Sequence, residues 1–114
     1  MSYLETATKR ERTSIVKSID RTIAKLQEVG WCKNQSRKSD ADGNVVAFCV
    51  SGAMSEVIAS SGTLEAVSDY LRSAGKRRDG SVVGYNDSRK TTKRNVLDAL
   101  RGTKRMVENY TPSK

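Results

Sequence analysis

The helical pattern of this chain is clearest in residues 8–30, which read TKRERTSIVKSIDRTIAKLQEVG. Thr8 and Glu11 have the spacing of a capping box, in which each side chain bonds the backbone N–H of the other at a helix start. Ser2 and Glu5 have the same spacing and offer an earlier alternative start. Apolar residues then recur at intervals of three and four, as on one face of a helix. These residues are Val16, Ile19, Ile23 and Leu26. We therefore predict a first helix that buries this stripe and stops at Gly30, since glycine favours a helix end.

A β-hairpin is predicted directly after this helix. Residues 40–44 are rich in turn formers, and the Asp42-Gly43 pair is typical of a tight hairpin turn. Residues 45–49 are mainly β-branched and aromatic, as strands favour. The first strand is expected within residues 32–38, whose polar side chains indicate an exposed edge.

Further helices are expected in the rest of the chain, each with apolar residues at helical spacing. These residues are Val50, Ala53, Met54, Val57 and Ile58 in the second helix, Leu64, Val67, Leu71 and Ala74 in a third that Thr63 would cap, and Val96, Leu100 and Val107 in a last helix that begins at Thr91 or Thr92. We predict a mainly α (α+β) fold of about four helices, with one short β-hairpin between the first and second helices. Residues 1–114 are expected to form one small domain with flexible ends at 1–7 and 110–114.

The composition excludes several classes of protein. The chain has 114 residues, of which 36% are hydrophobic and 30% charged, and it contains no histidine. Without histidine there is no Ser-His-Asp or Cys-His catalytic arrangement and no histidine metal ligand. The longest apolar run, at positions 45–50, is far too short to span a membrane, and the polar N-terminus does not resemble a signal peptide. We expect an intracellular, cytoplasmic protein with no membrane partner.

Cys32 and Cys49 are the only thiols in the sequence. Free cysteines usually behave as small buried hydrophobes, and two of them make only half of a zinc site. A disulfide between them would close a loop of about 17 residues, but thiols stay reduced inside the cell. The alternative is a thiol activated by the helix start after Cys49 or by Lys33 beside Cys32. We expect no metal, no cofactor and no enzymatic activity.

Three short motifs occur in order along the chain. They are Gly30-Trp31-Cys32, Cys49-Val50-Ser51-Gly52-Ala53 and Tyr85-Asn86-Asp87. Together they resemble the Gly-Trp-Cys, Cys-x-x-Gly-Ala and Trp-Asn-Asp elements of a small uncharacterised domain family of bacteria and phages. Tyr85 stands where that family usually has tryptophan, and Lys90-Thr91 where it has Gly-Arg. The resemblance, over roughly residues 15–100, implies a shared fold and a phage or mobile-element origin, and no particular activity.

Positive charge is concentrated in the second half of the chain. The net charge is +8, and residues 63–114 carry twelve basic against six acidic side chains. Such a surface attracts phosphates and carboxylates, so the expected partner is a nucleic acid or an acidic protein surface. The residues expected to make these contacts are Lys76, Arg77, Arg78, Arg89, Lys90, Lys93, Arg94, Arg101 and Arg105. Tyr70, Tyr85 and Tyr110 are available to stack on bases.

Two other functions stay open at this point. In one, the motif residues form a ligand-binding or enzymatic pocket; these residues are Trp31, Cys32, Cys49, Asn86 and Asp87. The plainer alternative for Asn86-Asp87 is a hydrogen-bonded turn that caps the last helix. In the other, the basic surface inhibits a host protein that handles nucleic acid. The leading hypothesis is a small, basic, non-enzymatic accessory protein that uses its C-terminal half for binding.

Overall fold

The computed structural model describes residues 3–111, and helices account for most of them. A 3-10 turn, Tyr3–Glu5, comes first. The other elements are α1 (Lys9–Glu28), β1 (Arg37–Ser39), β2 (Val45–Phe48), α2 (Val50–Glu56), α3 (Thr63–Ser73), α4 (Val82–Asp87) and α5 (Lys93–Glu108). The hairpin lies between the first two helices, so the predicted mainly helical class and the predicted place of the hairpin are confirmed.

α1 begins as the capping box predicts. The Thr8 hydroxyl accepts a hydrogen bond from the Glu11 N–H at 3.1 Å, and the Glu11 carboxylate accepts one from the Thr8 N–H at 2.7 Å. The helix ends at Glu28, and Gly30 follows with φ +138°, a conformation that favours glycine.

The buried face of α1 is rotated relative to the predicted stripe. Its members are Ile15, Ser18, Ile19, Thr22 and Leu26. The Thr22 hydroxyl donates to the Ser18 carbonyl oxygen at 2.8 Å, and the Ser18 hydroxyl accepts from the Ser60 N–H at 2.9 Å. Because both hydroxyls are satisfied, α1 can bury polar residues at its centre. The predicted stripe members Val16 and Ile23 are half-buried instead.

The hairpin has the predicted turn and an exposed first strand. β1 pairs antiparallel with β2, and all three residues of β1 are exposed. The Asp40 carboxylate accepts the N–H groups of Asp42 and Asn44, at 2.9 Å and 3.0 Å, and Gly43 has φ +83°. β1 begins later than expected within residues 32–38, and β2 ends at Phe48, because the next residue caps α2.

Two residues predicted for the core, Ile58 and Leu64, are exposed. α2 ends before Ile58, which has φ +52° and is 83% exposed. α3 buries Thr63, Ala66, Val67 and Leu71. Leu64 lies off this face and is 46% exposed, and Ala74 lies beyond the helix end. Gly62 takes the cap position in a left-handed conformation, so Thr63 is the first helical residue rather than the cap.

α5 matches the predicted last helix, whereas α4 was not predicted. Thr92 caps α5, and its hydroxyl accepts from the Asn95 N–H at 3.1 Å. Ser81 caps α4 by accepting from the Gly84 N–H at 2.9 Å. α5 packs against α1 and α3, and α4 lies against α2 and α3. Large side chains that are fully buried include Ile15, Ile19, Leu26, Leu71, Val96 and Leu100.

Residues near both described ends pack against the rest of the chain, and the flexible ends expected at 1–7 and 110–114 stay a prediction. Leu4 is 2% exposed, and the Tyr3 N–H donates to the Asp69 carboxylate at 2.8 Å. Tyr110 is half-buried, with the Arg12 guanidinium 5.3 Å from its ring centroid. Residues 1, 2 and 112–114 lie outside the described residues. Between positions 3 and 111, none of the helices has the length and hydropathy that crossing a membrane requires.

Candidate nucleic-acid interface

Asn86 joins the three sequence motifs through its side chain. It is 1% exposed and makes the four hydrogen bonds that a primary amide can make. Its Oδ1 accepts from Trp31 Nε1 at 2.7 Å and from the Val50 N–H at 3.1 Å. Its Nδ2 donates to the Cys32 carbonyl oxygen at 3.0 Å and to Asp87 Oδ1 at 2.9 Å. We call these five residues the Asn86 network.

The end of α4 is also tied to the chain just after Trp31. The Asp87 carboxylate accepts the Asn34 N–H at 2.8 Å. Lys33 Nζ donates to the Ser88 carbonyl oxygen at 2.7 Å and lies 5.6 Å from the Trp31 ring centroid. Asn86 and Asp87 therefore connect distant segments, and the cap of α5 is supplied by Thr92 rather than by them.

The second motif closes the junction between β2 and α2. The Cys49 sulfur is the N-cap of α2, accepting from the Gly52 N–H at 3.3 Å. A methyl group at Gly52 would collide with the Ser36 carbonyl oxygen, so glycine is required there. Ala53 is fully buried. These residues lie where backbone segments approach each other closely, which is a packing role.

The cysteines carry free thiols. Burial, and to a lesser extent Cys49 nearby, raises the pKa of Cys32, which favours the protonated thiol over a nucleophilic thiolate. Within residues 3–111 no three acidic or cysteine side chains are grouped so that they could hold a metal ion.

A depression of about 300 Å³ lies between α3, α4 and α5 and combines aromatic and cationic side chains. We call it the tyrosine groove; it is lined by Tyr70, Tyr85, Lys76, Asn95, Asp98, Ala99, Arg101 and Arg105. Tyr70 comes from α3, Tyr85 from α4 and the two arginines from α5, with Lys76 in the loop after α3. The fold thus brings together residues that are up to 35 positions apart.

The two tyrosines place aromatic side chains in the lining of this groove. The Tyr70 ring lies directly over Gly102, where a methyl group would displace it. Burial raises the pKa of Tyr85, with smaller contributions from Tyr70 and Asp98, so its phenol is protonated at neutral pH. Within residues 3–111 neither hydroxyl has a hydrogen-bond partner, which leaves both available to a ligand.

The cationic wall is one face of α5. Asp98, Arg101 and Arg105 follow each other at spacings of three and four, and Arg94 lies four positions before Asp98. Asp98 Oδ1 lies 3.5 Å from Arg101 Nη1, and both side chains are well exposed, so this pair is weak and screened by solvent. Lys104 is occupied elsewhere: its hydrogen bond to Asp20, at 2.9 Å, is the main cause of its raised pKa.

The groove lining contains three of the nine basic residues expected to bind a partner, namely Lys76, Arg101 and Arg105. Arg77 serves the fold, pairing with Asp79 at 3.0 Å and donating to the Gly84 carbonyl oxygen at 3.1 Å. The remaining five flank the groove elements in sequence: Arg78 in the loop after α3, Arg89 and Lys90 before α5, and Lys93 and Arg94 in its first turn.

Sequence reasoning missed Asn95 and Asp98 as members of the site. Helical spacing places Asp98 on the same face of α5 as Arg101 and Arg105, so its membership of the site could have been predicted from the sequence. The convergence of Tyr70 with Tyr85 had no local indication, because it depends on how α3 and α4 pack.

The chain matches a protein-family model over most of its length. A family of unknown function (DUF6197) matches residues 10–105, so the chain belongs to that family. This confirms the resemblance that the three motifs suggested to a small uncharacterised domain family. No curated protein and no solved structure matches the chain.

Proposed function

We propose that this member of the DUF6197 family is a non-enzymatic protein that binds nucleic acid through its basic C-terminal half. The tyrosine groove is the central contact. The observation that carries the proposal is the convergence of two tyrosines with three cationic side chains in one depression of about 300 Å³.

The chemistry of the groove suits a phosphate with an adjoining base. Lys76, Arg101 and Arg105 supply positive charge, which releases counterions from a nucleic-acid backbone. Aromatic rings beside such cations are the usual platform for unstacked bases. Arg78, Arg89, Lys90, Lys93 and Arg94 extend the positive surface around this centre in our proposal.

An acidic protein surface is the alternative partner, because the same cations can also bind carboxylates. The tyrosine pair favours nucleic acid, since base stacking gives aromatic rings in a cationic groove a defined use. An inhibitor of a host nucleic-acid-handling protein would use this same surface. In our proposal the protein acts inside the cell, as an accessory protein of a phage or mobile element.

The motif residues are proposed to hold the fold rather than to form a pocket. Asn86 has no hydrogen-bonding capacity left for a ligand, because its four bonds are all made within the protein.

The proposal is tested by binding of labelled single- and double-stranded DNA and RNA to the purified protein across a salt series. We expect binding that weakens steeply with salt, because phosphate contacts release counterions. The double variant Arg101→Gln/Arg105→Gln should bind more weakly and reduce the salt slope by about 1.4 for a single strand, at about 0.7 per lost phosphate contact.

The matched control is Arg37→Gln/Lys38→Gln, which removes the same charge from exposed residues of β1. These residues are outside the groove lining, so the control should lose much less affinity than the groove variant. Equal losses in the two variants would mean that charge alone, and not the groove, determines binding. Absence of binding at low salt would reject nucleic acid as the partner.

A further inference from the structure

We propose that the tyrosine groove selects RNA over DNA because the Asp98 carboxylate accepts a hydrogen bond from a ribose 2′-hydroxyl. This inference rests on the proposed nucleic-acid binding at the same groove. It assigns a specificity role to the one acidic residue in a lining that otherwise carries positive charge.

Asp98 has acceptor capacity to spare. Its side chain is 61% exposed, and its ion pair with Arg101 is long, at 3.5 Å. In the described part of the chain the carboxylate has no other hydrogen-bond or ion-pair partner. An ionised carboxylate can accept several hydrogen bonds and donates none, so Asp98 can take a donor from a bound ligand without breaking a contact that the fold needs.

A carboxylate beside three cations is unfavourable for a ligand that brings only phosphates. It repels them and offsets part of the attraction of Lys76, Arg101 and Arg105. The repulsion is compensated only if the ligand also places a donor near the phosphate. Asp98 therefore points to a ligand in which an anion and a hydroxyl or amino donor are neighbours.

The ribose of RNA satisfies this requirement at every nucleotide. Its 2′-hydroxyl is on the carbon next to the one that bears the 3′-phosphate, whereas the amino groups of bases are farther away and depend on sequence. The cations would hold the phosphate, and Asp98 on the same wall would accept the 2′-hydroxyl. DNA lacks this group, and the 2′-hydroxyl is what allows a protein to distinguish the two.

The test uses three labelled single-stranded probes with identical bases: oligouridine, oligodeoxyuridine and 2′-O-methyl oligouridine. The last keeps a ribose-like sugar but has lost the hydroxyl donor. We expect the protein to bind oligouridine roughly tenfold more tightly than either of the others, which is the effect of one hydrogen bond to a charged group. Tight binding of the 2′-O-methyl probe would overturn the inference.

The Asp98→Ala variant should remove the preference. It loses the acceptor and the repulsion together, so we expect it to bind oligodeoxyuridine more tightly than wild type does, with an RNA-to-DNA affinity ratio close to one. Alanine is favourable within a helix, so α5 should remain intact. The control is Glu108→Ala, which removes an exposed acid of α5 outside the groove lining and should leave the ratio unchanged.

The outcomes separate this inference from the proposed function. If all three probes bind with equal affinity, or if Asp98→Ala keeps the wild-type ratio, RNA selection by Asp98 is wrong while nucleic-acid binding stands. If none of the probes binds at low salt, RNA selection by Asp98 is wrong, and the proposed function fails as well only if the double-stranded probes and the single strands of other sequence also do not bind.

Discussion

Replacement of Asn86 by alanine is the sharpest test of what holds this fold together. The change removes the amide and leaves its four partners to find other bonds: the Trp31 indole, the Val50 N–H, the Cys32 carbonyl oxygen and the Asp87 carboxylate. Val50 is 3% exposed, so its N–H is left without water.

The expected loss follows from these partners. A buried donor left without an acceptor costs about 1–3 kcal/mol, and an ordinary hydrogen bond contributes about 1 kcal/mol. One buried donor and three partly hydrated partners give a loss of about 4 kcal/mol in the free energy of unfolding. At roughly 4 °C per kcal/mol for a domain of this size, Tm should fall by about 16 °C.

The measurement is thermal and urea unfolding followed by circular dichroism, with the fluorescence of Trp31 as a second probe. The control is Asn95→Ala, which removes an exposed asparagine whose side chain, among residues 3–111, accepts only the Thr92 N–H in the capping box of α5. That variant should lose about 1 kcal/mol. If Asn86→Ala unfolds within a few degrees of Asn95→Ala, the Asn86 network does not hold the fold, and a functional role for these residues becomes the better explanation.

Three further predictions concern single residues. Gly52→Ala forces a methyl group into the Ser36 backbone, which cannot rotate away, so the free energy of unfolding should fall by about 2 kcal/mol in urea titrations. Gly102→Ala displaces the Tyr70 ring but gains about 1 kcal/mol in helix propensity; oligonucleotide affinity should fall several-fold while Tm stays within about 4 °C of wild type. The pKa of Glu11 is lowered, chiefly by its capping-box hydrogen bond to a backbone N–H. Its contribution to stability is therefore present above the unfolded value of 4.5 and is lost as the pH falls through the lower folded value. In urea unfolding between pH 7 and pH 3, Glu11→Gln should lose less free energy of unfolding on acidification than wild type does.

Features that depend on neighbouring residues were predictable from the sequence. The Thr8–Glu11 capping box, the turn at residues 40–44 and the start of α5 at Thr92 all use contacts within four positions. The hydrophobic periodicity also located most of the core, because helical spacing alone places Leu71 and Leu100 on buried faces.

Features that depend on packing were not predictable in this way. Leu64 has the spacing of a core residue, yet the angle at which α3 packs leaves it exposed, while Thr63 is buried beside it. Asn86 forms hydrogen bonds with Val50 and Trp31, which lie 36 and 55 positions away in the sequence, and no local pattern predicts contacts at such separations. The same holds for the tyrosine groove, since its members come from α3, α4 and α5.

The most direct test of the central claim is the affinity of a labelled single-stranded oligonucleotide for wild type, Tyr85→Leu and Tyr85→Trp. Leucine keeps an apolar side chain but removes the ring and the hydroxyl, whereas tryptophan keeps an aromatic ring. Stacking of one base is worth about 1–3 kcal/mol. The account predicts at least a fivefold loss of affinity for Tyr85→Leu, about 1 kcal/mol, and wild-type or tighter binding for Tyr85→Trp. Equal affinities for all three proteins, each folded, would contradict the claim that nucleic acid binds in the tyrosine groove.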